Sequence, residues 1–85
     1  MVVKAGDRVQ MFRRAVVVGC AHGELYTAAK GTQGFIHQMA PKEAVLCARV
    51  ELIAPGVSGQ LFLVNFIDLE LAPGHVSGEL VTGAA

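Results

Sequence analysis

Between residues 45 and 54 the chain alternates with period two: Leu46, Ala48, Val50, Leu52 and Ala54 fall on one side, Cys47, Arg49 and Glu51 on the other. That period gives each set its own face of a β-strand, and the first set is predicted to be core. Arg49 and Glu51 then sit beside each other on the outer face, a pair worth at most ~1 kcal/mol when exposed. Residues 2–12 alternate less regularly, with Val9 and Met11 on one face and Arg8, Gln10 and Phe12 on the other, and form the predicted first strand. Residues 61–67 do not alternate. Only Asn65 interrupts Leu61, Phe62, Leu63, Val64, Phe66 and Ile67, the pattern of a strand covered on both faces. One face meets the core and the other a partner surface, and the pattern alone does not choose between them. Phe62, Val64, Asn65 and Phe66 are the candidate interface residues.

Glycine and proline divide the rest. Gly31 and Gly34 are read as bracketing a turn, because glycine reaches positive φ without steric cost, and residues 35–39 resume extended chain until Pro41. Pro55, Gly56 and Gly59 mark the turn before the strand at residue 61. Asp68, Leu69, Glu70 and Leu71 alternate again as a short last strand after a tight, 3₁₀-type corner, and Pro73-Gly74 stops it. Residues 13–29 read as a long loop after the first strand: Val16-Val17-Val18 is a β-branched run, Gly19 and Gly23 punctuate it, and residues 24–29 suit either a strand or a helical turn. With no helix of length and no repeat, the expectation is an all-β domain over residues 1–74. Residues 75–85 are left as a tail or an extra edge strand at 79–82.

Composition changes this picture in two ways. Of 85 residues, 53% are hydrophobic and only 16% charged, against ~25% charged in typical soluble domains. A domain this small buries roughly 60 to 65% of its unfolded surface, so apolar groups are left over and a homo-oligomer, dimer or tetramer, is expected. Seven basic and seven acidic residues cancel, which removes the electrostatic term behind non-specific nucleic-acid affinity. Two cysteines, Cys20 and Cys47, are too few for a disulfide scaffold and are expected to be free thiols. Val17-Val18-Gly19-Cys20 after Arg13-Arg14 has the outline of a lipoprotein box, but a secretory apolar region needs about 7 to 15 residues and only Ala15 to Val18 stand there. No stretch reaches the ~20 apolar residues of a membrane span, and a cytoplasmic protein without membrane attachment is expected.

The order of three strings adds a resemblance. Gly6-Asp7-Arg8-Val9, then Lys30-Gly31-Thr32-Gln33-Gly34-Phe35-Ile36, then the closing strand with its corner at Asp68-Leu69-Glu70 are similar to the parts of an SH3-like barrel, which implies five strands. The second string, after an upstream Gly-Asp-x-Val, resembles the turn of KOW-type modules, and that likeness implies nucleic-acid binding, although such modules are markedly basic and this chain is neutral. Over about two thirds of its length the chain also resembles the protomer of type II, plasmid-borne dihydrofolate reductases, tetramers with a central pore. That family carries a ligand-binding Val-Gln-Ile-Tyr string where this chain has Leu61-Phe62-Leu63-Val64, and a lysine where it has Met11. The resemblance therefore implies a barrel that assembles through its last strands, without the reductase's functional residues.

Three constellations could carry chemistry. Arg13, Arg14, Lys30 and Lys42 are candidates for a basic mouth, with backbone N–H groups from Gly31 to Gly34 aimed at the same phosphate or carboxylate; the competing reading is an edge strand guarded by arginines and an ordinary glycine turn. Cys20 and His22 stand two apart, with His37, Cys47 and His75 as distant further ligands, but the spacing is not that of a zinc site. A Cys20 nucleophile lacks an orienting group or an oxyanion loop. No metal, cofactor or catalytic residue is therefore assigned. The expected function is a non-enzymatic interaction module that self-associates through residues 61–66, or that takes up another protein. A small anionic-ligand binder or minimal enzyme with a site in a pore between protomers is the alternative.

Overall fold

The computed structural model describes residues 3–74. Seven strands follow one another along the chain: β1 (Arg8–Met11), β2 (Ala15–Gly19), β3 (Leu25–Ala28), β4 (Gln33–Met39), β5 (Cys47–Ile53), β6 (Leu61–Asn65) and, after a 3₁₀ turn at Phe66–Asp68, β7 (Leu69–Leu71). All pair antiparallel in one sheet with the order β3-β2-β6-β5-β4-β1-β7. The protein is all-β, as the alternation predicts, but the sheet has seven strands rather than five. Among the described residues its ladder ends at β3 and β7 instead of closing. The two additional strands come from the segment expected to be a long loop. They form a hairpin that pairs back onto β6 through Val18 opposite Leu63 and Gly19 opposite Phe62. The unbroken run Val16-Val17-Val18 conceals the alternation, because Val17 points inward, 2% exposed, while Val16 and Val18 point out.

Gly6-Asp7 is a turn device. Gly6 adopts φ +93°, the Asp7 carboxylate is buried and accepts the Lys4 backbone N–H at 2.8 Å, and the Asp7 carbonyl accepts from Ile36, which ties the start of β1 to β4. Beyond it Val9 and Met11 enter the core with no exposed surface, joined by Ala48, Val50 and Leu52 from β5, three of the five residues that the period-two pattern selects; Leu46 and Ala54 lie outside the strand, Leu46 68% exposed and Ala54 half-buried. On β6 the inward residues are Phe62 and Val64, both fully buried within the protomer. This corrects their assignment as interface residues: they fill the core and offer no surface to a second copy. Phe62 lies 5.6 Å from the Tyr26 ring, so the β2–β3 hairpin is held over the core by an aromatic contact as well as by its ladder.

Asn65 and Phe66 make the corner. The Asn65 side-chain carbonyl accepts the Ile67 N–H at 3.1 Å and caps the 3₁₀ turn, and Leu69 N–H returns to the Phe66 carbonyl. The amide thus satisfies a local donor at the bend. After the turn β7 pairs with β1, Val9 opposite Leu71 and Met11 opposite Leu69. The predicted tail or edge strand at residues 75–85 lies outside the described residues.

Candidate interaction surface

The residues expected to cradle an anion do not come together as one. Arg13 is engaged at the 3₁₀ corner, its Nε 3.3 Å from the Asp68 carboxylate and its guanidinium 5.4 Å above the Phe12 ring. Arg14 and Lys30 are exposed. Gly31 does form the turn, at φ +87°, but its N–H donates to the Met11 carbonyl at 2.9 Å and is spent. Gly34 does not bracket that turn. It sits inside β4 between Val9 of β1 and Leu52 of β5, where a Cβ would stand 2.5 Å from the Glu51 carbonyl oxygen. Close approach of strands, not positive φ, is what requires glycine there.

Cys20 and Cys47 are free thiols. Burial pushes Cys20 up, with Glu24 adding to the rise and Arg49 opposing it; burial and then Asp68 push Cys47 up. Both are therefore poor thiolates at neutral pH, the opposite of what a nucleophile or metal ligand needs. Among the described residues no three His, Cys, Asp or Glu side chains gather as a metal site; His75 lies outside them. Arg49 and Glu51 do not pair with each other. Arg49 reaches Glu43, and Glu51 meets His37 at 2.8 Å, because side chains two apart on a strand have closer partners off it.

What the sheet does present is an apolar outer face at its β2–β3 end. Val18 stands between Leu25 of β3 and Leu63 of β6, and Val16 stands opposite Thr27. Leu25 is 72% exposed, Val16 59% and Val18 37%. Row by row this gives Leu25, Val18, Leu63 and then Arg49, so the stripe runs from the open edge inward and ends at a charge. No protein-family model, curated protein or solved structure matches the chain. Its surface chemistry must therefore speak for the function. A second apolar concavity lies at the other end of the sheet, where Phe12, Ile67 and half-buried Phe66 flank β7; Phe66 is the one apolar residue of the expected interface set that reaches a surface. Sequence reading missed Val16, Val18 and Leu25 because a valine triplet inside a glycine-punctuated segment carries no facing signal. Among the described residues no helix is long and apolar enough to cross a membrane.

Proposed function

We propose that the chain is a non-enzymatic assembly module of the cytoplasm that self-associates through the β2–β3 end of its sheet. The observation that carries this reading is the apolar row Leu25–Val18–Leu63, exposed at Leu25 and Val18 and half-buried at Leu63, which runs out to a strand with no neighbour on its far side among the described residues. Contiguous apolar surface of this kind on a small domain marks a contact site, and the low charge content of 16% leaves little to solubilise it. The contact belongs to the hairpin rather than to Phe62 and Val64, which the core already holds. Two free thiols are compatible with a reducing compartment.

The same arrangement supports an SH3-like barrel as the underlying fold. With the β2–β3 hairpin set aside, the remaining order is β6-β5-β4-β1-β7: a meander of three strands, a 3₁₀ turn, and a last strand that returns to the first. The hairpin is then an insertion after β1 that extends the sheet beyond β6. Sedimentation velocity over a concentration series tests the functional reading. The wild-type chain is expected to sediment as a dimer or larger species, and Leu25→Asp as a monomer with an unchanged far-UV spectrum and melting temperature. Wild-type protein that stays monomeric at every concentration would overturn it.

A further inference from the structure

We infer that the corner around the 3₁₀ turn docks onto an anionic lipid surface, its apolar tips entering the bilayer interface and the cations beside them meeting the headgroups. This contact is separate from the assembly surface and does not rest on it. Phe12, Val45, Leu46 and Ile67 are 50% to 68% exposed, and none of them lies within a strand. They stand on three connections: Phe12 between β1 and β2, Val45 and Leu46 between β4 and β5, and Ile67 in the 3₁₀ turn between β6 and β7. Backbone hydrogen bonds hold these connections together. Phe12 N–H donates to the Asp68 carbonyl at 2.6 Å and Phe66 N–H to the Leu46 carbonyl at 3.0 Å, so the 3₁₀ turn joins the other two. Apolar side chains gathered on turn tips, outside any strand face, mark a contact site.

Charge complementarity names the partner. The chain is neutral as a whole, but cations gather at this corner. Arg13 lies over the Phe12 ring and against Asp68, and Arg14 follows it. Lys42 shares the loop of Val45 and Leu46, and Lys30 precedes Gly31, whose N–H reaches the Met11 carbonyl beside Phe12. The carboxylates of the region are already engaged: Asp68 by Arg13, Glu43 by Arg49, and Glu70 by the Gln10 amide. Arg14, Lys30 and Lys42 are exposed and form no ion pair among the described residues. Standing on three different connections, these cations make no cradle for a single anion. A plane of anionic headgroups meets all of them at once. The apolar tips between them favour lipid over nucleic acid, because phosphates leave such tips in water, whereas the boundary between headgroups and acyl chains takes them up. The expectation of no membrane attachment rests on the lack of a spanning stretch, which docking at the surface does not require.

Co-sedimentation of the full chain with vesicles tests this, with phosphatidylcholine containing phosphatidylserine set against phosphatidylcholine alone. The wild type is expected to partition at least about tenfold more strongly onto the anionic vesicles and to be released as salt rises. Leu46→Asp with Ile67→Asp, both at exposed positions, should lower that partition at least about tenfold with far-UV spectrum and melting temperature retained. Arg14→Glu with Lys30→Glu should lower it as much. Should the aspartate pair fail to fold, Leu46→Gln with Ile67→Gln takes its place. Wild-type protein that stays in solution with both kinds of vesicle overturns the inference. Loss in the charge variant without loss in the apolar variant also overturns it, since adsorption by charge alone then accounts for binding. Retention of mixed-sequence RNA in place of vesicles, through the same cations, overturns it in favour of nucleic acid. Leu25→Asp, which tests the assembly reading, is expected still to pellet with the anionic vesicles, so either reading can fail without the other.

Discussion

Replacing Phe62 by alanine separates a core role from an interface role at the same residue. The Phe62 ring has no exposed surface, lies 5.6 Å from the Tyr26 ring, and belongs to a strand residue facing Val50 on one side and Gly19 on the other. Truncating such a ring costs about 3–5 kcal/mol, because transfer free energy is lost and a cavity remains. A domain of 85 residues has a total stability of about 4–13 kcal/mol at ~0.05–0.15 kcal/mol per residue, so the loss of about 3–5 kcal/mol is roughly a quarter of the margin at least. Urea titration followed by far-UV circular dichroism gives the midpoint, and the fluorescence of Tyr26, in a chain with one tyrosine and no tryptophan, reports on the contact itself. With m near the low end of ~1–3 kcal/mol/M, the midpoint should fall by about 2–4 M. A fall below about 0.5 M, accompanied by loss of the oligomer, would refute the reasoning and return Phe62 to the interface.

Two further measurements probe other features. Gly34→Ala sets a Cβ 2.5 Å from the Glu51 carbonyl oxygen and 2.8 Å from Val50 Cγ1, and backbone cannot yield as a side chain does; it should cost at least the ~1–3 kcal/mol of core overpacking, whereas Gly31→Ala, at φ +87° in open space, should lose only the ~1–2 kcal/mol of left-handed strain. Equal melting temperatures for the two variants would contradict the close β4–β5 approach. Because both thiols are pushed up in the folded chain, the unfolded thiols ionise first: their contribution to stability is full below about pH 8.5 and is lost as pH rises through the higher folded values. The melting temperature should therefore drop in alkali, less steeply in Cys20→Ala/Cys47→Ala, and iodoacetamide should label the native chain slowly at pH 7. Fast labelling at pH 7 would overturn the burial argument.

Legibility in the sequence followed how far each side chain's facing is written into its neighbours. Ala48, Val50 and Leu52 alternate with Arg49 and Glu51, so their burial could be read directly, and the corner before Leu69 was marked by an amide among apolar residues. Leu61 to Val64 are all apolar, so nothing local distinguishes Phe62 and Val64 from Leu61 and Leu63; pairing with β2 and β5 decides it. Residues 13–29 failed for the same reason at Val16-Val17-Val18. Gly31 and Gly34 look alike in sequence, yet one serves a turn and the other a close strand approach, a difference only tertiary packing creates. The candidate surface was hidden because an edge strand's open groups depend on which strand is absent beside it.

The pairing of β7 with β1 has a consequence for how the chain is made. Gln10 and Glu70, joined by a side-chain hydrogen bond, are separated by 60 positions. During translation β1 therefore leaves the ribosome long before the segment that seals its outer side exists. A nascent chain stopped short of Leu69 exposes one side of β1 and lacks a core side chain, which makes it a substrate for chaperones rather than a smaller folded protein. Closing so long a loop slows the final step, and a ribosome stalled late in the message would hold an adhesive intermediate.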